Sequence, residues 1–452
     1  MFQSLLKGIG VFFLILLIIG TSLITIINRQ PYQSKSYYRT LTKRLDSLAS
    51  NYVGNNTSGQ AFIGWSEIDI PIDENQPLAG YGARNPKSLL GIHDSIFFKI
   101  FIIKKESHKA AIISADLLII HPEFKNAVYR SLPEGWTRDQ LYFTATHTHS
   151  SIGGWAPGGV GELFAGEYSV NIINKMTSAL IHALTEAEEN LENGLIGYSK
   201  LEVEDLVYNR LAKDKGEVDP WFQLLSFMTA KKKALITSYS AHPTCLGRLN
   251  REVSGDYPNS LIDQLEDNKD FDQVGFMAGP VASMGPNVQG RDGWAKVHKL
   301  ASELKAQYEF LELIGIPHDS IRSLSSFKLK LPIGDPYFKI SENLALRPYV
   351  FNYLFGNYQP EISILKINDI LMIGMPCDFS GELALPLYKK ANDLDLHLII
   401  TSFNGDYLGY VIKDKWYDLN KYESRTMSWY GPDMGAYMSE VSSRLIEIMH
   451  EN

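Results

Sequence analysis

Leu141-Tyr142-Phe143-Thr144-Ala145-Thr146-His147-Thr148-His149-Ser150-Ser151 is the stretch whose reading decides the fold of this chain. It starts apolar, turns polar and runs into Gly153-Gly154. In a β-strand, residues two apart share a face. Leu141, Phe143, Ala145, His147 and His149 are then expected to point one way, and Thr144, Thr146 and Thr148 the other. A strand that passes from core residues to two imidazoles beside glycine is ending in a loop. Strand ends are where α/β proteins gather their sites, and imidazole is the commonest protein metal ligand. The competing reading is that one histidine caps the strand and the other is solvated. The pair alone leaves both open.

Working outward, the same grammar repeats from Ala61 onward. Strand candidates, short, β-branched or aromatic and bounded by turn residues, are 61–70, 95–104, 109–116, 140–147, 195–203, 223–229, 234–241, 274–278, 325–331, 361–367, 370–375 and 396–402. Amphipathic periodicity predicts helices over 122–131, 168–191, 258–267, 293–313, 382–394 and 434–450. Many strands with helices between them predict an α/β fold, with stacked mixed β-sheets in several layers flanked by helices. The stretch 332–360, with Pro332, Pro336, Pro348 and Pro360, reads as a long excursion, either a lid or a surface insertion.

Before Ala61 the chain changes character. Ile9 to Ile27 is an apolar run of roughly 19 residues, enough for a helix to cross a hydrocarbon core of ~30 Å. Residues 1–28 are therefore expected to form one uncleaved transmembrane anchor, 29–58 a stalk or short helix ending at Asn55-Asn56-Thr57-Ser58, and 59–452 one large domain. Lys7 lies before the run and Arg29, Lys35 and Arg39 after it. Long domains translocate regardless of such counts, and the expected location is a single-pass protein with its domain on the extracytoplasmic side.

Composition excludes some classes. The chain has 452 residues and a net charge of −8, with 43 Lys and Arg against 51 Asp and Glu. There is no basic block and no nucleic-acid-binding signature, so nucleic acid is not expected as a partner. Cys245 and Cys377 are the only cysteines, which rules out a disulfide scaffold.

Further polar groups sit at strand ends or beside glycines. They are Asn209-Arg210, Ser240-Ala241-His242-Pro243-Thr244, Ser254-Gly255-Asp256-Tyr257-Pro258, Met375-Pro376-Cys377-Asp378-Phe379 and the run from Asn404 to Tyr410. Two histidines, a carboxylate and one more oxygen make a plausible catalytic zinc shell with room for water. Each member alone has a bland alternative. A strand-end histidine usually serves structure, and a strand-end aspartate usually caps the next helix.

With Gly80-Tyr81, Gly91-Ile92-His93, Thr146-His147-Thr148-His149-Ser150, Lys421-Tyr422-Glu423 and Gly409-Tyr410-Val411 added, these stretches run in order from about residue 60 to the end. Together they resemble the catalytic domain of the neutral ceramidase family. The resemblance implies hydrolysis of the amide of ceramide, a lipid substrate, to a fatty acid and sphingosine with one zinc ion. It implies His147, His242, Asp378 and Tyr410 as zinc ligands. His149, Arg210 and Tyr422 fall where the family contacts its substrate, with His149 beside the metal rather than on it.

Three departures qualify what the resemblance implies. The family loop Gly-Asp-Val-Ser-Pro-Asn is here Ala282-Ser283-Met284-Gly285-Pro286-Asn287. Its serine is Gly285, and Ser283, two positions earlier, is the candidate substitute unless activated water suffices. Asp378 stands where the family has glutamate, and Glu382 is the rival ligand. The chain is expected to lack the separate C-terminal β-sandwich that many members carry. A zinc hydrolase of the same fold acting on another amide or ester, or a non-catalytic lipid-binding descendant, are the alternative functions. If His242 and Asp378 meet one ion, Cys245 and Cys377 become neighbours able to form a bridge, or are simply small buried residues.

Overall fold

The structure, a computed structural model, describes residues 2–54, 59–84, 88–267 and 270–451. All twelve expected strands are present with ends moved by a few residues. The first sheet contains β1 (Ala61–Asp69), β2 (Phe97–Lys105), β3 (His108–Ala115), β4 (Leu141–Ala145), β5 (Glu192–Glu202), β6 (Trp221–Thr229), β7 (Lys233–Tyr239) and β8 (Gln273–Ala278). Their order is β8-β7-β6-β5-β1-β2-β3-β4, and His318–Ser320 adds to β5. Only β3 with β4 and β7 with β8 pair in parallel. The sheet curls until its two ends meet: the Ser114 hydroxyl on β3 donates to the Phe276 carbonyl on β8 at 2.6 Å. Gly275 permits the approach, because a Cβ there would stand 2.9 Å from the Phe101 ring. The curl gathers the carboxyl ends of β4, β7 and β8 in one place.

A second sheet, β9 (Leu324–Lys330), β10 (Glu361–Ile367), β11 (Ile370–Gly374) and β12 (His397–Thr401), stacks on the first in that strand order. Between the sheets lies a dry layer that includes Ile112, Tyr142, Phe227 and Met277 from one side and Leu365, Met372 and Ile399 from the other. Each such side chain contributes about 1.5–3 kcal/mol when fully buried. Ser402 N–H, just past β12, donates to Ala278 O at the end of β8. The second sheet therefore delivers its own strand ends, with Asp378 just beyond β11, to the same place.

Helices cover the outer faces. On α5 (Val170–Glu189), Ile172, Ile173, Met176, Leu180, Ala183, Leu184 and Ala187 are buried, the three-to-four spacing of one helix face. It packs with α3 (Pro122–Arg130) on the first sheet. Helices α6 (Asp256–Glu266) and α7 (Gly293–Ile314) cover the β7–β8 flank. Helices α9 (Gly381–Asn392) and α10 (Met434–Glu451) cover the second sheet.

The N-terminal expectations change. Helix α1 takes Phe2–Leu23, but among the described residues no helix is long and apolar enough to cross a membrane. The expected transmembrane anchor is thus not supported; the side chains of residues 13–19, the centre of the apolar run, lie outside the described part. Past α1, Ile24–Ile26 pairs antiparallel with Leu344–Leu346 of the excursion. Helix α2 (Ser36–Asn51), within the segment expected as a stalk, packs on the domain: Leu41 and Leu45 are buried, and Tyr32 and Tyr38 both donate to Glu440 on α10 at 2.5 and 2.6 Å. Asn55–Ser58 lies outside the described residues. Leu45→Ala is expected to lower stability by about 2–5 kcal/mol, the range for emptying a well-packed leucine site. Urea unfolding of the full chain measures this, and a loss under ~1 kcal/mol contradicts the packing role of α2.

The cysteines form no bridge. Both are free and buried. Cys245 packs with α6 and α7 and Cys377 with α9 and α10, in separate cores.

Candidate metal centre

β4 stops at Ala145, so neither histidine is on the strand, and the shared-face expectation for them fails. Thr146 N–H goes to Ala115 O and His147 N–H to Leu117 O. His147 takes φ +63°, in the left-handed region, which costs a non-glycine residue on the order of 1–3 kcal/mol unless its surroundings fix it. The Phe403 ring helps do so, stacked on the His147 ring with centroids 3.9 Å apart. His149 follows in the turn, and His242 arrives three residues past β7.

The three imidazoles meet. Nε2 of His147 is 3.0 Å from Nε2 of His242, and Nε2 of His149 is 3.2 and 3.0 Å from those two. Each ring turns its other nitrogen to a backbone carbonyl: Nδ1 of His147 to Leu118 O at 2.5 Å, of His149 to Gly80 O at 3.0 Å, of His242 to Val281 O at 3.3 Å. A carbonyl accepts only, so each Nδ1 carries the proton and each Nε2 presents a lone pair. Burial pushes the His147 imidazole down to about 3. Burial, then neighbouring imidazoles and Arg210, hold His149 and His242 well below their usual range. Three neutral lone pairs converging at this distance repel unless a cation sits among them. Nitrogen ligands about 2.0–2.1 Å from one tetrahedral ion lie ~3.3 Å apart, close to the observed spacing.

Asp378 lies beside the three imidazoles. Its Oδ1 is buried with no hydrogen-bond partner among the described residues, 3.7 Å from His147 Nε2. Its Oδ2 accepts from the Tyr407 hydroxyl at 2.7 Å. Burial pushes the carboxyl up to about 7, against the Tyr407 bond and Arg210. An orphaned carboxylate oxygen beside unprotonated imidazole nitrogens fits a divalent ion. The Glu382 carboxylate is already partnered: it accepts from Trp416 Nε1 at 2.9 and 3.1 Å and from Asn209 Nδ2 at 3.2 Å.

Asp378 and Tyr410 are partners in a short parallel ladder and so present their side chains to one face. The Tyr410 hydroxyl is 3.0 Å from Arg210 Nη2. Arg210 is held on its other side by Glu423 at 3.2 Å. Burial opposes the Arg210 charge, but Tyr410, Glu423 and Asp378 outweigh it and raise its pKa. Tyr422 is half-exposed, its ring centroid 6.0 Å from that of Tyr410. Ser283 is set apart: it is fully buried, and its Oγ is bonded to Ser380 Oγ at 2.6 Å. Gly285 lies under Tyr208, where a Cβ would stand 2.8 Å from the ring. The glycine that replaces the family's serine thus fits a tight spot beneath an aromatic ring.

The centre opens into a cavity of about 490 Å³. His147 and His149 border it, whereas His242 does not. His149 is also the most accessible of the three, 9% exposed against 2% and 0%. Trp155, Phe164, Phe351 and Trp429 make apolar wall. Phe164 lies on α4 (Gly159–Ala165) and Phe351 on α8 (Pro348–Phe355). The excursion 332–360 contributes part of the cavity wall, and α2 contributes Tyr37. Tyr407, Glu423 and Phe403 were not singled out as site residues in the sequence. The first two lie within quoted motifs, and nothing local marks Phe403.

Comparison with known proteins finds relatives of this chain. The model of the neutral/alkaline non-lysosomal ceramidase N-terminal region matches residues 62–296. A neutral ceramidase of Drosophila melanogaster is 23% identical over 274 residues, covering 54% of this chain and 38% of that protein. The neutral ceramidase of Pseudomonas aeruginosa is 21% identical over 197 residues, covering 40% and 29%. The chain thus spans about a third of the length of the curated relatives it matches. A crystal structure of neutral ceramidase from Pseudomonas aeruginosa superposes with a TM-score of 0.77 at 16% identity, over 87% of this chain and 75% of that one. A ceramidase complexed with C2 gives the same TM-score at 15% identity. These likenesses show a shared fold.

Proposed function

The chain belongs to the family of neutral/alkaline non-lysosomal ceramidases, and on that premise we propose that it hydrolyses the amide of ceramide or a related N-acyl lipid, releasing a fatty acid and a sphingoid base. The observation that carries this reading is the buried cluster of His147, His149 and His242, with Asp378 beside it, bordering a cavity with aromatic walls. His147, His242 and Asp378 would hold a zinc ion, with Tyr410 on the same face. The ion supplies Lewis-acid chemistry for the amide carbonyl and acidifies water.

The remaining steps belong to the chain's own groups. His149 borders the cavity with its Nδ1–H fixed on Gly80 O, so its Nε2 is free to take a proton and pass it to the leaving amine. Arg210 and the Tyr410 hydroxyl, already 3.0 Å apart, form a donor pair for the oxygen that gains charge as the amide is attacked. Tyr422, at the exposed side, contacts the polar head. Trp155, Phe351 and Trp429 take the chains and exclude water. No protein nucleophile is required, and Ser283, tied to Ser380, is left without a part in this scheme.

The test is fatty-acid release from a panel of N-acyl lipids, simple amides and esters by the purified full chain. Release from N-acyl sphingoid bases is expected. Turnover confined to esters or short amides would favour a different hydrolase of the same fold. Binding with no turnover of any panel member would favour a lipid-binding descendant.

A further inference from the structure

One polar group on the cavity wall has no part in the scheme above. His121 stands at the N-terminus of α3, and its Nδ1 accepts the backbone N–H of Glu123 at 3.2 Å. A ring nitrogen that accepts is unprotonated, so the proton of the neutral ring is on Nε2. Burial, and then Lys125, push this imidazole down to about 3, and the capping bond persists across the neutral range. The ring is 9% exposed. Trp155 and Tyr358 flank it, with centroids 5.7 and 5.6 Å away, the tyrosine edge-on. Among the described residues nothing accepts a hydrogen bond from its Nε2, yet His121 borders the same cavity as His147 and His149.

Its distance from the centre is bounded by the chain. Leu118, whose carbonyl holds His147 Nδ1, is three residues away, a span of at most ~11 Å. The N–H is fixed and has no acceptor among the described residues, in a wall shared with Trp155, so a ligand that displaces solvent from the cavity has to supply one. That acceptor is uncharged by the same geometry. The ring is neutral, and the nearest cation, Lys125, is already paired with Asp406 at 2.7 Å. Arg44, elsewhere on the cavity wall, bonds Lys330 O, and the His121 ring itself offers a phosphate or carboxylate no charge.

We infer that His121 is a specificity-determining residue whose Nε2–H donates to a hydroxyl oxygen of the bound lipid. The inference rests on the amidohydrolase reading of the site. A substrate lacking that hydroxyl leaves the N–H buried and unpaired, which weakens its binding by about tenfold or more.

The test compares kcat/KM for N-acyl sphingoid bases with their 1-deoxy and 3-deoxy counterparts, in the full chain and in His121→Leu and His121→Gln. The unsubstituted chain is expected to prefer the hydroxylated lipid by about tenfold or more over one deoxy form. His121→Leu should erase that ratio by lowering kcat/KM for the hydroxylated lipid alone. His121→Gln should keep part of it, because an amide N–H can stand in. A merely structural role would lower every substrate alike, and an unchanged ratio in His121→Leu overturns the inference. A second arm needs no turnover: quenching of tryptophan fluorescence by the free long-chain amino diol and by its deoxy forms should show the same preference and the same loss. If the diol preference depends on His121 while no fatty acid is released, the amidohydrolase reading falls and only the hydroxyl contact of His121 survives. If amides are cut but neither preference responds to His121, the inference falls alone.

Discussion

His242→Ala is expected to release the metal and abolish turnover together, whereas His149→Ala should abolish turnover and leave the metal in place. The three Nε2 atoms are almost equidistant, so distance alone does not assign their roles. Access does. His242 is fully buried and away from the cavity, and its lone pair has nothing to serve except an ion. Outer partners of metal ligands already carry roughly 10–100-fold in affinity, so losing a ligand itself should cost at least ~100-fold, with turnover falling by the same factor or more. His149→Ala should keep about one equivalent of metal and lose turnover by roughly 10²–10⁴-fold, the range of a positioned acid–base group. Metal content after gel filtration, measured beside activity, separates the two. Metal lost from both variants would make His149 a third ligand and take from it the proton-transfer role.

The second large effect separates two carboxylates four residues apart. Asp378→Asn keeps the shape and the bond from Tyr407 but removes the negative charge from a ring of neutral imidazoles. Metal affinity should fall by at least about 100-fold. Glu382→Gln should leave metal content unchanged. It weakens the bonds from Trp416 and Asn209, at a cost of about 1–3 kcal/mol in stability. Retained metal in Asp378→Asn together with loss in Glu382→Gln would reverse the assignment. The sequence left this choice open because both residues sit between β11 and the first turn of α9. The hydrogen bonds favour Asp378: Glu382 has an indole and an amide to bind, and Asp378 Oδ1 has no partner among the described residues.

Most of the architecture was legible because it follows local rules. Each strand of the two sheets carries a run of branched or aromatic residues bounded by turn formers, and α5 displays its buried face in plain periodicity. The N-terminal segment was harder. Tyr37, Tyr38 and Leu41 suggested only a loose helix, and the pairing of two tyrosines with Glu440, some four hundred residues away, has no local trace. Helices α4 and α8 are short and rich in glycine or aromatics, and a wall of the cavity passed as loop. The apolar run near the N-terminus met the length rule for a membrane span, a span the described residues do not support.

The site was legible in its residues and less so in its geometry. Motifs named the histidines, Asp378, Tyr410 and Arg210, and the fold brings them together. The strand rule failed at His147, whose left-handed backbone is set by contacts with Leu117, Leu118 and Phe403 that arrive from elsewhere in the chain. Two cysteines near two ligands suggested a bridge, but each ligand is carried by a different layer and the thiols face different cores. His121 was invisible for a further reason: only the tautomer fixed by Glu123 N–H and the open side toward the cavity distinguish it from an ordinary helix cap.

The most direct test is fatty-acid release from ceramide by the full chain, stripped of metal by a chelator and then titrated with zinc. The account predicts no release from the stripped protein, and recovery that rises linearly and saturates at one equivalent per chain. Full activity in the stripped protein, or zinc binding at one equivalent with no release at any loading, would contradict it.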